Sequence, residues 1–168
     1  PRKEATEEER KIASKLIPLI QEWRTPPGTQ EDGSFSSEAF NAWLHEVKEK
    51  CKESGHLTIA LQMIGQVLIH TPPDPSGFWI NETVASALNT KDADEMRKGY
   101  RIGISNSRGV YVVTAGKNEL KLADKYRKQA EELETHGYYR FAAMFRDLAS
   151  DYERDAERDA ERDRLGDL

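Results

Sequence analysis

Apolar residues recur every three or four positions along several stretches of this chain, and this helical spacing limits the fold more than any other feature. Segments rich in Pro and Gly separate the stretches, as in "RTPPGTQEDGS" at 24–34 and "TPPDPSG" at 71–77. Each stretch therefore predicts an amphipathic helix with one buried face. The apolar positions of the four clearest stretches are Phe40, Trp43, Leu44, Val47 and Cys51; Leu57, Leu61, Ile64 and Leu68; Leu120, Ala123, Tyr126, Ala130 and Leu133; and Phe141, Phe145, Leu148, Ala149 and Tyr152.

Residues that cap helices stand at the ends of these stretches. Ser36 is expected to cap one helix at its N-terminus, with Phe35 and Phe40 placed as a hydrophobic staple. Asn81 is expected to cap a short helix in the same way. Gly55 fits the position that follows a helix, where a positive φ is common. These signals predict where the helices begin and end.

Two glycines carry predictions about helix packing. The pair His136-Gly137 predicts a tight turn between the last two long helices, which should therefore pack as an antiparallel αα-hairpin. Gly65 lies inside an apolar helical stretch, where it costs about 1 kcal/mol relative to Ala. We therefore expect a close helix crossing at Gly65.

The stretch "YRIGISNSRGVYVV", residues 100–113, changes the apolar period to two. Gly99 is expected to end the preceding helix, and "NSRG" has the composition of a turn. A phosphate-binding loop is disfavoured because Val110 stands where the required Gly-Lys-Ser/Thr motif needs Lys. The segment instead predicts a β-hairpin packed on the helices. Its alternating residues are Tyr100, Ile102 and Ile104, followed by Val110, Tyr111, Val112 and Val113.

The predicted fold is mainly α: six to seven helices surround one core, with a single short β-hairpin at about 100–113 and a C-terminal αα-hairpin. A chain of 168 residues suits one hydrophobic core of this kind. We divide it into an N-terminal helix and linker at 1–30, a helical domain with the β-hairpin at 31–152, and a charged helical tail at 153–168.

The charges are distributed unevenly along the chain. Residues 151–168 carry eight acidic residues and four arginines, within a chain of formal net charge −5. Residues 96–118 contain five cations and no Asp or Glu. This window predicts an anion- or nucleic-acid-binding surface. Its candidate residues are Arg97, Lys98, Arg101, Asn106, Ser107, Arg108 and Lys117.

A structural interpretation of the same window stands beside the binding one. Arg101 and Arg108 would bond to the carbonyls at helix C-termini or to the acidic helices, and Lys117 would be a solvated side chain. The near-neutral body and the acidic tail also argue against tight nonspecific DNA binding, which depends on neutralising phosphates.

The chain shows no catalytic signature. The single cysteine, Cys51, is expected to be a packed thiol, and "HEVKE" at 45–49 lacks the second His of a zinc-binding helix. No catalytic residue, metal or cofactor is therefore predicted. No apolar run reaches the roughly 18 residues of a membrane span, and the N-terminus does not resemble a secretion signal. We expect a cytoplasmic protein without a membrane partner.

Five segments together resemble the C-terminal ends of large, multidomain bacterial proteins of uncharacterised function. They are "GSF…AW", "IGQVLIHTPPDPSGFW", "GYRIGISNSRGV", "LADKYRKQAEEL" and "RFAAMFRDLASDYERDA", and they cover most of 33–158. The resemblance implies a bacterial, cytoplasmic accessory module and supplies no catalytic residue.

The sequence thus favours a noncatalytic, helix-rich interaction or accessory module of a larger bacterial protein. Its partner would be another protein or other domains of the same chain. The alternative is an anion- or nucleic-acid-binding module that uses the basic region 97–117.

Overall fold

The computed structural model describes residue 7 and residues 22–107 and 116–166, and the predicted helical class is confirmed there. The predicted N-terminal helix lies almost entirely outside these residues. The β structure within the described residues consists of one isolated antiparallel bridge between Thr29 and Phe35. The helices are α1 (Ser37–Glu53), α2 (Leu57–Leu68), α3 (Glu82–Asn89), α4 (Asp94–Asn106), α5 (Lys117–Thr135) and α6 (Tyr139–Leu165).

The helix ends follow the predicted caps. The Ser36 hydroxyl accepts a hydrogen bond from the backbone amide of Ala39, and the Asn81 side chain accepts one from Thr83. The rings of Phe35 and Phe40 lie 5.5 Å apart, which is the contact expected of the staple. These local hydrogen bonds satisfy backbone amides that a helix leaves unpaired at its start.

The C-terminal αα-hairpin is also confirmed. Gly137 adopts the left-handed conformation, with a φ of 81°, between α5 and α6. The two helices run antiparallel, so that the ring of Tyr126 stacks on that of Tyr152 at 5.4 Å. At the other end of the pair, the backbone of Gly116 approaches that of Ala156 so closely that an added Cβ would lie 2.5 Å from the Ala156 carbonyl oxygen. One hydrophobic core joins this pair to α1–α4.

Helices α2 and α4 cross at glycines, as Gly65 predicted. A Cβ at Gly65 would overlap the carbonyl oxygen of Met96 and lie 2.7 Å from the amide nitrogen of Tyr100. A Cβ at Gly99 would overlap the backbone of Gln62 in the same way. The two helices therefore pack backbone against backbone, a distance that only glycine permits at these positions.

The β-hairpin prediction is wrong for its first strand. Residues 100–106 belong to α4, and Gly99 lies inside this helix instead of ending it. Met96, Tyr100 and Gly103 are buried at helical spacing against α2, whereas Ile102 is 43% exposed. The burial of this face outweighs the β propensity of the Tyr and Ile residues. Residues 108–113, which comprise the end of the predicted turn and the predicted second strand, lie outside the described residues.

Two polar contacts tie α3 and its following loop to distant helices. The Asn89 side-chain oxygen accepts hydrogen bonds from the amides of Arg140 at 2.8 Å and Phe141 at 3.3 Å, which caps α6 from α3. The Lys48 ammonium group of α1 lies 2.9 Å from the Asp92 carboxylate, between α3 and α4. The chain thus secures its short helix α3 with contacts that are remote in sequence.

The Lys48–Asp92 pair predicts a pH dependence of stability. The hydrogen bond from Lys48 holds the pKa of Asp92 at about 2, below its usual 3.8. Since the folded pKa is the lower one, the pair stabilises above pH 4, and this contribution disappears as the pH falls from about 4 to about 2. Because the Asp92 side chain is 69% exposed, solvent limits the contribution to about 0.5–1 kcal/mol.

We therefore expect Asp92→Asn to lower the free energy of unfolding by about 0.5–1 kcal/mol at pH 7, with a smaller difference at pH 3. Urea unfolding at both pH values measures this. Glu46→Gln is the matched control, because Glu46 pairs with Lys50 on the surface of α1 alone. A wild-type to variant difference that stays constant between pH 7 and pH 3 would contradict the assignment.

Candidate functional site

Among the predicted binding residues that the structure describes, Arg97 is the most buried. Its relative exposure is 7%, and its guanidinium group donates to the carbonyl oxygens of Leu88 at 2.5 Å and Thr90 at 2.9 Å. It also pairs with Asp94. These carbonyls belong to the C-terminal end of α3, which attracts cations. Arg97 therefore joins α4 to the end of α3, and its guanidinium group does not face solvent.

Lys98 and Arg101 also contact acidic side chains. The Lys98 ammonium group lies 2.6 Å from Glu95, which in turn accepts a hydrogen bond from Gln62 of α2 at 2.6 Å. Arg101 pairs with Asp151 of α6. The Gln62–Glu95 and Arg101–Asp151 contacts connect α4 to helices on either side, and the structural interpretation expects the Arg101 contact. The ion pairs of Lys98 and Arg101 reduce the positive charge that α4 presents to an external anion.

Asn106 and Ser107 lie at the C-terminal end of α4, where the Ser107 hydroxyl donates to the carbonyl of Ile104 at 2.8 Å. They line a cavity of about 120 Å³ between the ends of α2 and α4, together with Trp23 and His70. Burial lowers the pKa of His70, and the nearby Arg24 lowers it further. Helix C-termini carry partial negative charge, so this position disfavours a bound anion.

The predicted binding residues that the structure describes are therefore not gathered into one site. Asn106 and Ser107 line the small cavity, whereas Arg101 lines a separate groove of about 720 Å³ beside Asp151 and Tyr152 of α6. Lys117 is exposed at the first residue of α5. Arg108 lies outside the described residues.

A row of lysines on α5 is the surface feature that sequence reasoning missed. Lys117 continues into Lys121, Lys125 and Lys128, and all four are exposed. At about 100° per residue, their spacing places them within roughly 80° of the helix surface. The linear pattern of lysines at intervals of four, four and three was the available signal. We call these four residues the lysine face.

The surroundings of the lysine face are mixed. Asp124 lies 2.9 Å from Lys128 and raises its pKa. Leu120, in the same part of α5, is 55% exposed. The opposite side of α5 is buried against α6, which fixes the outward direction of the lysines; its buried residues include Ala123, Tyr126, Ala130 and Leu133.

Within residues 22–107 and 116–166, His, Cys, Asp and Glu side chains form no group of three that could hold a metal ion. No helix in the described part of the chain is both long enough and apolar enough to cross a bilayer. Comparisons with protein-family models, curated proteins and solved structures found no match to this chain.

Proposed function

We propose that this chain is a noncatalytic, helix-rich accessory module of a larger bacterial protein in the cytoplasm, in line with the resemblance of its sequence. Its role is to present an interaction surface, and α6 acts as the strut that connects this surface to its surroundings. The proposal rests chiefly on the distal part of α6. The contacts of Arg97 and Arg101 support it, because they assign these two cations to contacts between helices.

The distal part of α6 continues as a helix where little of it is buried. Ala156 is the last buried residue of α6, yet the helix extends to Leu165. Residues 161–165 are all exposed. The repeat "ERDAERDAERD" places charges all round this segment, with an Asp155–Arg158 pair one turn apart. A helix that is polar on every side suits a solvated bridge between folded parts and gains from such pairs.

A distance measurement tests the strut. Nitroxide labels at Ala143→Cys and Arg164→Cys, in a Cys51→Ser background, occupy exposed positions of α6. A continuous helix separates them by about 31 Å, at about 1.5 Å per residue. We expect double electron–electron resonance to give a narrow distribution around this value.

The matched control pairs Ala143→Cys with Arg154→Cys, whose separation of about 17 Å lies within the packed part of α6. A narrow distribution for the control with a broad one for the longer pair would remove the main support for the proposed function.

The anion- or nucleic-acid-binding alternative gains nothing from the contacts seen for α4. Three of its cations face carboxylates or carbonyls, and its two neutral residues lie at a helix C-terminus. We therefore treat nucleic-acid binding as one outcome of the binding experiment described below.

A further inference from the structure

We propose that the lysine face of α5 docks an acidic segment of a protein partner; this inference rests on the proposed role as an accessory module. The first support is the geometry of α5. Its inner side is buried in the core, so the four lysines point away from α6. Packing thus fixes their direction, and the Lys125 ammonium group also lies 5.6 Å from the centroid of the Tyr126 ring.

The charge of α5 changes along its length. The lysine face occupies its first part, while Glu131, Glu132 and Glu134 follow near its C-terminal end. Asp124 is an acid on the same side, and it pairs with Lys128. A partner with negative charge therefore matches the part between Lys117 and Lys125, and the glutamates that follow limit how far it extends.

The dimensions fit a short segment. Lys117 and Lys125 are separated by about 12 Å along the helix axis. About four residues of extended chain, or about two turns of a partner helix, cover this length. The exposed side chain of Leu120 adds an apolar contact for such a segment.

Two observations favour an acidic protein over nucleic acid. The lysine face supplies four cations, fewer than the roughly six to ten phosphate contacts of a strong DNA-binding surface. The exposed Leu120 suits a protein side chain better than a phosphate backbone.

Fluorescence anisotropy tests the inference with two labelled probes in 50 mM salt: an oligoglutamate peptide of 15 residues and an oligothymidylate of 15 nucleotides. We expect the oligoglutamate to bind and the triple variant Lys117→Gln, Lys121→Gln, Lys125→Gln to bind it at least tenfold more weakly. The matched control changes three exposed lysines elsewhere, Lys50→Gln, Lys52→Gln and Lys91→Gln, and should alter the affinity by less than twofold.

We expect both triple variants to remain folded, because the changed residues are exposed. Circular dichroism verifies this. Equal weakening by the two triple variants would overturn the inference, because it would show attraction by overall charge alone. Failure of the wild type to bind oligoglutamate, or tighter binding of oligothymidylate through the same lysines, would also overturn it. The distance between the nitroxide labels in α6 is measured independently of these binding results. A failure of the docking surface is therefore distinguishable from a failure of the proposed function.

Discussion

Gly65→Ala and Gly99→Ala are each expected to lower the free energy of unfolding by about 2–3 kcal/mol, and the melting temperature by roughly 5–10 °C. The added methyl group would overlap the Met96 carbonyl in the first variant and the Gln62 backbone in the second. Backbone atoms cannot rotate away as a side chain can, so α2 and α4 must separate. This loss exceeds the gain of about 1 kcal/mol that Ala brings to a helix.

Gly103→Ala is the graded control for these variants. It lies on the same face of α4, but its Cβ would meet the Gln66 carbonyl oxygen at 3.0 Å, which a small shift relieves. We expect a change of less than about 1 kcal/mol, because the helix propensity of Ala offsets the strain. Urea unfolding of the three variants measures the order of their stabilities. A Gly65→Ala protein more stable than the wild type would contradict the close crossing.

Arg97→Met is expected to lower the free energy of unfolding by about 2–4 kcal/mol. Methionine fills much of the same space but cannot donate to the carbonyl oxygens of Leu88 and Thr90, which lie 2.5 Å and 2.9 Å from the guanidinium group. Buried acceptors that lose a charged donor carry a large desolvation cost. Chemical unfolding followed by tryptophan fluorescence measures the change.

Two further variants test whether the loss of stability comes from the two hydrogen bonds that the Arg97 guanidinium group donates to carbonyl oxygens. Arg97→Lys keeps the charge but has a single ammonium group, so we expect about half the loss. Lys98→Met, at the neighbouring exposed position, should change stability by less than about 0.5 kcal/mol. Similar losses for Arg97→Met and Lys98→Met would show that the carbonyl contacts of Arg97 contribute little.

Local signals in the sequence were sufficient for much of the fold. Ser36 and Asn81 cap helices because their side chains reach amides only two or three residues away. Gly137 turns the chain between two helices whose apolar faces are visible in the sequence. Gly65 indicated a crossing because its cost within a helix needs a compensating contact. These predictions depend on neighbouring residues or on a strong helical period.

The conformation of residues 100–106 depended on contacts that are distant in sequence. Tyr100, Ile102 and Ile104 alternate as in a strand, but Met96, Tyr100 and Gly103 also follow a helical period. The segment is helical because its helical face packs closely against α2, where Gly65 lies at the crossing. Only the packed structure places Gln62 and Gly65 against this segment.

The contacts of the candidate binding residues likewise depend on parts of the chain that are distant in sequence. Within the basic window, Arg97 faces carbonyls and Arg101 faces Asp151 of a distant helix. Arg97 donates to the backbone carbonyls of Leu88 and Thr90, and Asp151 is distant in the sequence from Arg101, so composition could not identify these partners. The lysine face, in contrast, follows from one helix and could be read from its spacing.

We propose that the arginines of α4 stabilise contacts between helices, while the lysines of α5 contact the partner. Arg101→Gln and Lys121→Gln each remove one positive charge, so their comparison isolates position from net charge. The affinity of the oligoglutamate probe for each variant tests the claim most directly. We predict that Lys121→Gln weakens binding about threefold and Arg101→Gln changes it by less than a factor of about 1.5. Weakening by Arg101→Gln that equals or exceeds that of Lys121→Gln would contradict the claim.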